Sequence, residues 1–132
     1  MRYKDLLDVN DLKAYARSLN ARAAAQGRAA LSLAALRSII LESGGRCGWC
    51  DASLVGQPFE VDHIIPLADR GAHTAENLVV ACPDCNRQKA SQPPLKFAHL
   101  MVARRGHATP VIQRLLDHYK SDAHTQPGLF AL

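Results

Sequence analysis

The sequence contains no stretch of about 18 uncharged apolar residues, so no segment is expected to cross a membrane as a helix. Aromatic residues are scarce: three Phe, three Tyr and one Trp in 132 residues. Much of the apolar content is Ala, Leu and Val, which points to small packed helices rather than a large sheet. The N-terminal run MRYKDLLDVNDLK carries charges where a secretory signal needs its apolar stretch, so a cytoplasmic protein is expected. Internal repeats and low-complexity linkers are also lacking. The length suits one domain, residues 1–132, with a core small enough to benefit from a staple.

Cysteine is limited to four residues, Cys47, Cys50, Cys82 and Cys85. In a reducing compartment two paired C-x-x-C units read as a metal site rather than as disulfides. Each unit can fold into a knuckle that presents two sulfurs, and two knuckles supply the four thiolates of a tetrahedral structural zinc. Such an ion closes a long loop and fixes both of its ends. With all four ligands used, no position is left for catalysis. A redox C-x-x-C is the competing reading, but that motif usually occurs once, beside a strand-to-helix turn.

The net charge is +4, unevenly spread. Residues 1–46 and 86–120 are basic, whereas residues 47–85 carry one Arg against six Asp/Glu. An acidic centre between basic flanks suits a cation held beside a polyanion, although solvated helix faces give the same pattern.

Helical spacing of Leu12, Tyr15, Ala16 and Leu19 predicts a helix over residues 10–25 capped by Asn10, which extends or breaks near Gly27. Ser32 caps a second helix, LAALRSIILE, which Gly44-Gly45 ends. CGWC is a turn, FEVDHII a strand, RGAHTAEN a turn and LVVA a short strand. Pro83 then opens a helix directly after Cys82. Pro93-Pro94 to Gly106 and Thr109-Pro110 onward give two more helices.

Between the knuckles lie Glu60-Val61-Asp62-His63-Ile64-Ile65-Pro66, then Gly71, Glu76-Asn77-Leu78 and Cys82-Pro83-Asp84-Cys85-Asn86-Arg87-Gln88-Lys89. Asp-His-Ile-x-Pro, Asn-Leu and Cys-Asn-Arg, in this order and spacing, resemble the HNH endonuclease family, in the branch that interleaves two C-x-x-C knuckles with the motif. The resemblance covers residues 47–89, about a third of the chain, and the third letter of the family name is Asn86 here. The helical flanks carry no such resemblance.

The resemblance implies a metal-dependent endonuclease that hydrolyses phosphodiester bonds in DNA. Its fold would be α+β and mostly helical, with a ββα-metal module and its four-cysteine zinc site at 47–90. The helical spacing read above, not the resemblance, adds a helical segment at 1–46, C-terminal helices at 91–120 and a loose tail at 121–132. The resemblance further implies that His63 is the general base, that Asp62 and Asn86 hold a catalytic Mg²⁺ or Mn²⁺, and that Asn77 holds the loop and orients His63. The family bends at the end of its first strand, so that Asp62 turns to the metal and His63 to the scissile phosphate. The chemistry is consistent with that assignment. An imidazole titrates near neutrality, and oxygen ligands suit a hard cation that neutralises phosphate.

Other residues are less defined. Glu60 reads equally as an acid supporting the site or as a surface charge. His73 is expected to be exposed, and Trp49 to pack rather than stack on a base. Arg87, Lys89, Arg104 and Arg105 are candidate phosphate contacts, continued by Lys96 and Arg114, with Arg17, Arg22 and Arg28 as the N-terminal alternative. DNA, duplex or nicked, is the expected partner. RNA stays open, and a protein partner is a possible source of sequence specificity. The alternative function is a zinc-containing nucleic-acid-binding module without catalysis.

Overall fold

The computed structural model describes residues 1–90 and 92–121. The tail expected to be loose lies outside the described residues from position 122 on, and His124 with it. Among the described residues no helix is long and apolar enough to cross a membrane.

Helix α1 spans Val9–Ala25. Its cap is Asp8 rather than Asn10: the Asp8 carboxylate accepts from the backbone N–H of Asn10 (2.9 Å) and Asp11 (3.4 Å). Asp8 is extended and stands one residue outside the helix, the position from which a short acidic side chain reaches those orphan donors. Leu12, Ala16, Leu19 and Ala23 form the buried stripe, and the helix stops before Gly27, at φ +76°. Helix α2 spans Leu33–Glu42, capped by Ser32 Oγ as expected, and buries Leu36, Ile39 and Ile40.

The hairpin follows. Strand β1, Glu60–His63, pairs antiparallel with β2, Leu78–Ala81. The register sets Glu60 opposite Ala81, Val61 opposite Val80, Asp62 opposite Val79 and His63 opposite Leu78. The strand is shorter than the run FEVDHII because its neighbours bond elsewhere. Phe59 N–H goes to Met1 O, Ile64 N–H to Asn77 O, and Ile65 N–H to the Asn77 side chain. Helix α3, Pro83–Lys89, begins on Pro83 directly after Cys82. Helix α4 spans Pro94–Arg105 and ends at Gly106, whose φ is +80°. Helix α5 spans Pro110–Ser121, and Thr109 Oγ accepts from Ile112 N–H at its start.

The fold is therefore α+β and mostly helical. Helix α3 packs on β1, α2 on β2, α1 on α2 and α4 on α5. One core joins Leu12, Leu19, Leu36, Ile40, Trp49, Phe59, Ile64, Phe97 and Ile112. Trp49 is fully buried edge-to-face on Phe97, 5.1 Å between centroids, so it packs as expected.

Candidate metal centre and active site

The two knuckles meet. The ligand atoms of Cys47, Cys50, Cys82 and Cys85 all lie within 4.8 Å of one another, and no disulfide joins them. Cys50 Sγ and Cys82 Sγ are 3.9 Å apart. A tetrahedron with metal–sulfur bonds of about 2.3 Å has sulfurs about 3.8 Å apart, so this spacing fits zinc. Backbone N–H groups of Trp49 and Cys82 point at Cys47 Sγ, and that of Cys85 at Cys82 Sγ. Donors aimed at sulfur stabilise thiolate. Cys47 is held down to about 5, first by its bond with Cys85, whose own thiol is pushed up by the same bond and by burial.

The first knuckle is pressed against the hairpin at Gly48. Its N–H donates to Val80 O at 2.7 Å, and its C=O accepts from Thr109 Oγ at 2.6 Å. A Cβ there would stand 2.4 Å from Val79 Cγ2. The knuckle therefore ties β2 to the start of α5.

Strand β1 carries two kinds of chemistry because successive side chains alternate faces. Glu60 and Asp62 are half-buried, while Val61 and His63 are buried. Helix α3 lies over the acidic pair. Asn86 Nδ2 donates to the Glu60 carboxylate, and three residues on, Lys89 Nζ stands 3.8 Å from Asp62 Oδ2. Residues two apart on a strand are thus matched by residues three apart on a helix. With its NH₂ on Glu60, Asn86 keeps its amide oxygen for another partner. Glu60, Asp62 and Asn86 offer the oxygens that suit a hard cation. Burial raises the Asp62 carboxyl above its usual value, against the opposing pull of Lys89.

Lys89 corrects one expectation. It does not face solvent or a phosphate: it is 1% exposed, and its Nζ donates to His63 O at 3.2 Å. Burial lowers its ammonium below the usual lysine range despite Asp62 and Asp69 nearby. Its four-carbon stem is long enough to lie along the core and deliver the charge to β1. Arg87 does stay in solvent, paired with Asp84. Arg104 bonds Gln88 Oε1 at 2.7 Å. Gln88 is two residues from Asn86 and so about 200° around α3, which puts Arg104 on the side turned away from Asn86.

The chain runs regular through His63 and bends directly after it, at Ile64–Ile65, and Asp62 and His63 leave β1 on opposite faces. Asn77 makes the bend. Fully buried, its Nδ2 donates to Ile65 O (3.0 Å) and Ala72 O (2.7 Å), and its Oδ1 accepts from Ile65 N–H (2.9 Å). All three of these hydrogen bonds go to backbone.

His63 corrects a second expectation through its partner. His73 is not exposed; it is 6% exposed and its Nδ1 lies 2.9 Å from His63 Nε2. His73 Nε2 in turn lies 2.8 Å from Asn20 Oδ1 on α1. Burial pushes His63 down to about 4, aided by His73, Arg22, Lys89 and Arg28. His73 is lowered too, by burial and then by Arg22. Both rings are therefore neutral at physiological pH, and a neutral imidazole can accept a proton.

The N-terminal segment is thus part of the site. Tyr15 OH accepts from Val61 N–H at 2.8 Å, Asn20 holds His73, and Arg28 Nε donates to Gly71 O at 3.1 Å. Sequence reasoning placed none of these contacts. The one visible signal was a polar Asn20 directly after buried Leu19.

Residues 46–92 match the family model of the HNH endonuclease. The CRISPR-associated endonuclease Cas9 of Corynebacterium diphtheriae is 39% identical over 49 residues, 36% of this chain and 4% of the relative. The type IV methyl-directed restriction enzyme EcoKMcrA of Escherichia coli K12 is 39% identical over 56 residues, 38% of this chain and 20% of the relative. The chain thus spans a fifth or less of the length of these relatives. The solved structure of the type IV phosphorothioation-dependent restriction endonuclease ScoMcrA overlays 83% of this chain and 24% of its own, at 18% identity and a TM-score of 0.43. That likeness is too distant to carry an argument.

Proposed function

We propose that this chain, whose residues 46–92 match the HNH endonuclease family model, is a metal-dependent endonuclease that hydrolyses phosphodiester bonds in DNA. The observation that carries the reading is the packing of α3 across β1. It brings the oxygens of Asp62, Asn86 and Glu60 to one strand whose last residue is a neutral, buried His63. A zinc-binding module that only gripped nucleic acid would have no use for that constellation.

In this reading His63 accepts a proton from the water that attacks phosphorus, and the P–O bond to the leaving oxygen breaks in line with that attack. Asp62 and Asn86 would hold one divalent cation, Mg²⁺ or Mn²⁺, which would neutralise charge on the phosphate and leaving oxygen. Asp62 and His63 are consecutive, their Cα atoms about 3.8 Å apart. The chain bends directly after His63, so this residue stands at the strand's end, next to Asp62. Lys89 keeps Asp62 charge-balanced and anchors the His63 carbonyl. Asn77 shapes the loop. The zinc held by the four cysteines is structural. Arg87, Arg104 and Arg105 offer phosphate contacts; Lys89 does not.

The test is supercoiled plasmid incubated with the purified chain and Mg²⁺ or Mn²⁺. Nicked and linear products are expected with metal and none in excess EDTA. His63→Ala lowers the rate by about 10²–10⁴-fold with an unchanged circular dichroism spectrum. A His63→Ala rate within threefold of wild type removes the base assignment. DNA retarded on a gel but never cut favours the binding module.

A further inference from the structure

We infer that Asn20 and His73 are positioning residues that fix His63 in one tautomer, with the proton on Nε2 and the Nδ1 lone pair bare. This rests on the reading of His63 as the base and names the atom that acts.

The inference follows from hydrogen-bond directions through two neutral rings. Leu31 N–H donates to Asn20 Oδ1 at 2.9 Å, and Asn20 Nδ2 donates to Leu31 O at 3.0 Å. This reciprocal pair with one backbone residue leaves the amide a single orientation, because a backbone N–H cannot accept and a C=O cannot donate. Asn20 Oδ1 therefore faces His73 Nε2 as an acceptor at 2.8 Å, and His73 Nε2 carries the hydrogen. A neutral imidazole with Nε2 protonated has only Nδ1 left, as an acceptor. His63 Nε2, 2.9 Å from that atom, must then be the donor. His63 Nδ1 is the nitrogen left without a proton.

Reversing the chain would set the bare Nε2 of His73 against the Asn20 oxygen, two lone pairs face to face. Both rings are buried at 6% exposure, so water does not readily relieve that clash. Without Asn20 the two neutral rings can pass their shared proton either way. In the reversed state His63 Nδ1 is protonated and cannot take a proton from water. Helix α1, outside residues 46–92, thereby governs the reacting atom inside them. Arg28, which bonds Gly71 O, and Asn20 together moor the loop that carries His73.

The experiment reads the nitrogens directly. The full chain is labelled with ¹⁵N, and the imidazole signals are recorded at about pH 8, where both rings are neutral. Wild type is expected to show His63 and His73 both protonated on Nε2. Asn20→Leu and His73→Leu are expected to show His63 as a mixture of tautomers. A wild-type His63 protonated on Nδ1, or an unchanged His63 tautomer in both variants, overturns the inference. Kinetics give the second arm. Asn20→Leu lowers kcat at saturating DNA in proportion to the fraction of His63 found protonated on Nδ1, about twofold for an even mixture, with KM unchanged, since a wrong tautomer idles the base. Asn20→Asp, which can only accept and so enforces the same His73 tautomer, recovers most of that loss. Equal losses in the Leu and Asp variants, or a loss confined to KM, overturn it. If Asn20→Leu fails to fold, His73→Leu and the wild-type spectrum still decide. Activity surviving in His63→Ala would sink the base assignment while leaving the spectra to judge the hydrogen-bond chain separately.

Discussion

Lys89 shows what one misplaced charge costs at the residue scale. A buried ammonium is tolerated where a carboxylate and a carbonyl receive it, and Asp62 and His63 O do so. Replacing it by Met keeps most of the stem but strands Asp62 beside apolar surface and removes the donor from His63 O. Because Asp62 keeps a side-chain exposure of 28%, water shares part of the burden. Lys89→Met is therefore expected to cost about 2–3 kcal/mol, below the full value for a broken buried pair. Arg87→Ala, two residues away but solvent-exposed, should stay within about 0.5 kcal/mol. Urea midpoints at neutral pH measure both. Equal effects would mean that Lys89 is not buried against β1. The motif reading placed these neighbours together as phosphate contacts. Residues two apart on a helix point about 200° apart, and only packing tells which one faces inward.

At the element scale the loop after β1 depends on Gly71. A Cβ there would lie 1.9 Å from Ile65 O and 2.9 Å from Asn77 Nδ2, a collision with backbone and with the clamp that shapes the bend. Gly71→Ala is expected to destabilise by at least about 2 kcal/mol and to lower cleavage with it. Gly56→Ala is the control: its φ is +72° but its Cβ meets nothing within 4 Å, so only about 1 kcal/mol of backbone cost is expected. Thermal melts that rank the two equally would refute the clash. For the knuckles, one zinc per chain is expected, and Cys47→Ser or chelation should lower the melting temperature sharply. An unchanged melt without zinc would deny the site a structural role. Elements were legible where local chemistry sets them. Ser32, Pro83, Gly106 and Thr109-Pro110 announce their helix ends, and paired C-x-x-C spacing announces the metal centre. What was not legible is contact across long sequence separation. Asn20 and His73 are 53 residues apart, and nothing local in RGAHTAEN distinguishes a buried histidine from an exposed one. The cap of α1 failed for a smaller reason, since Asp8 and Asn10 are equally good capping types two positions apart.

At the scale of the whole molecule, burying two neutral imidazoles links stability to pH. The folded value of His73 lies below its ordinary 6.5, and that of His63 lies at about 4. The unfolded chain therefore binds more protons than the folded one once pH falls below about 6.5. Their stabilising share is complete above 6.5 and is lost as pH falls toward the folded values, for His63 down to about 4. Each histidine can contribute a slope of up to about 1.4 kcal/mol per pH unit within its own window. The groups facing His73 act in the same direction: Arg22 opposes its protonation, and His63 and Asn20 offer neutral partners whose pattern a second proton would break. His73→Leu removes one titrating ring and one cause of the His63 depression, so this variant should lose less stability over the same acid range. Urea unfolding from about pH 7.5 to about pH 5 measures it, with zinc content followed in parallel because acid also protonates thiolates. If wild type and His73→Leu lose stability in parallel while zinc stays bound, the histidine pair is not what senses pH. A steeper loss in wild type ties the acid sensitivity of the fold to the contact between α1 and the hairpin loop.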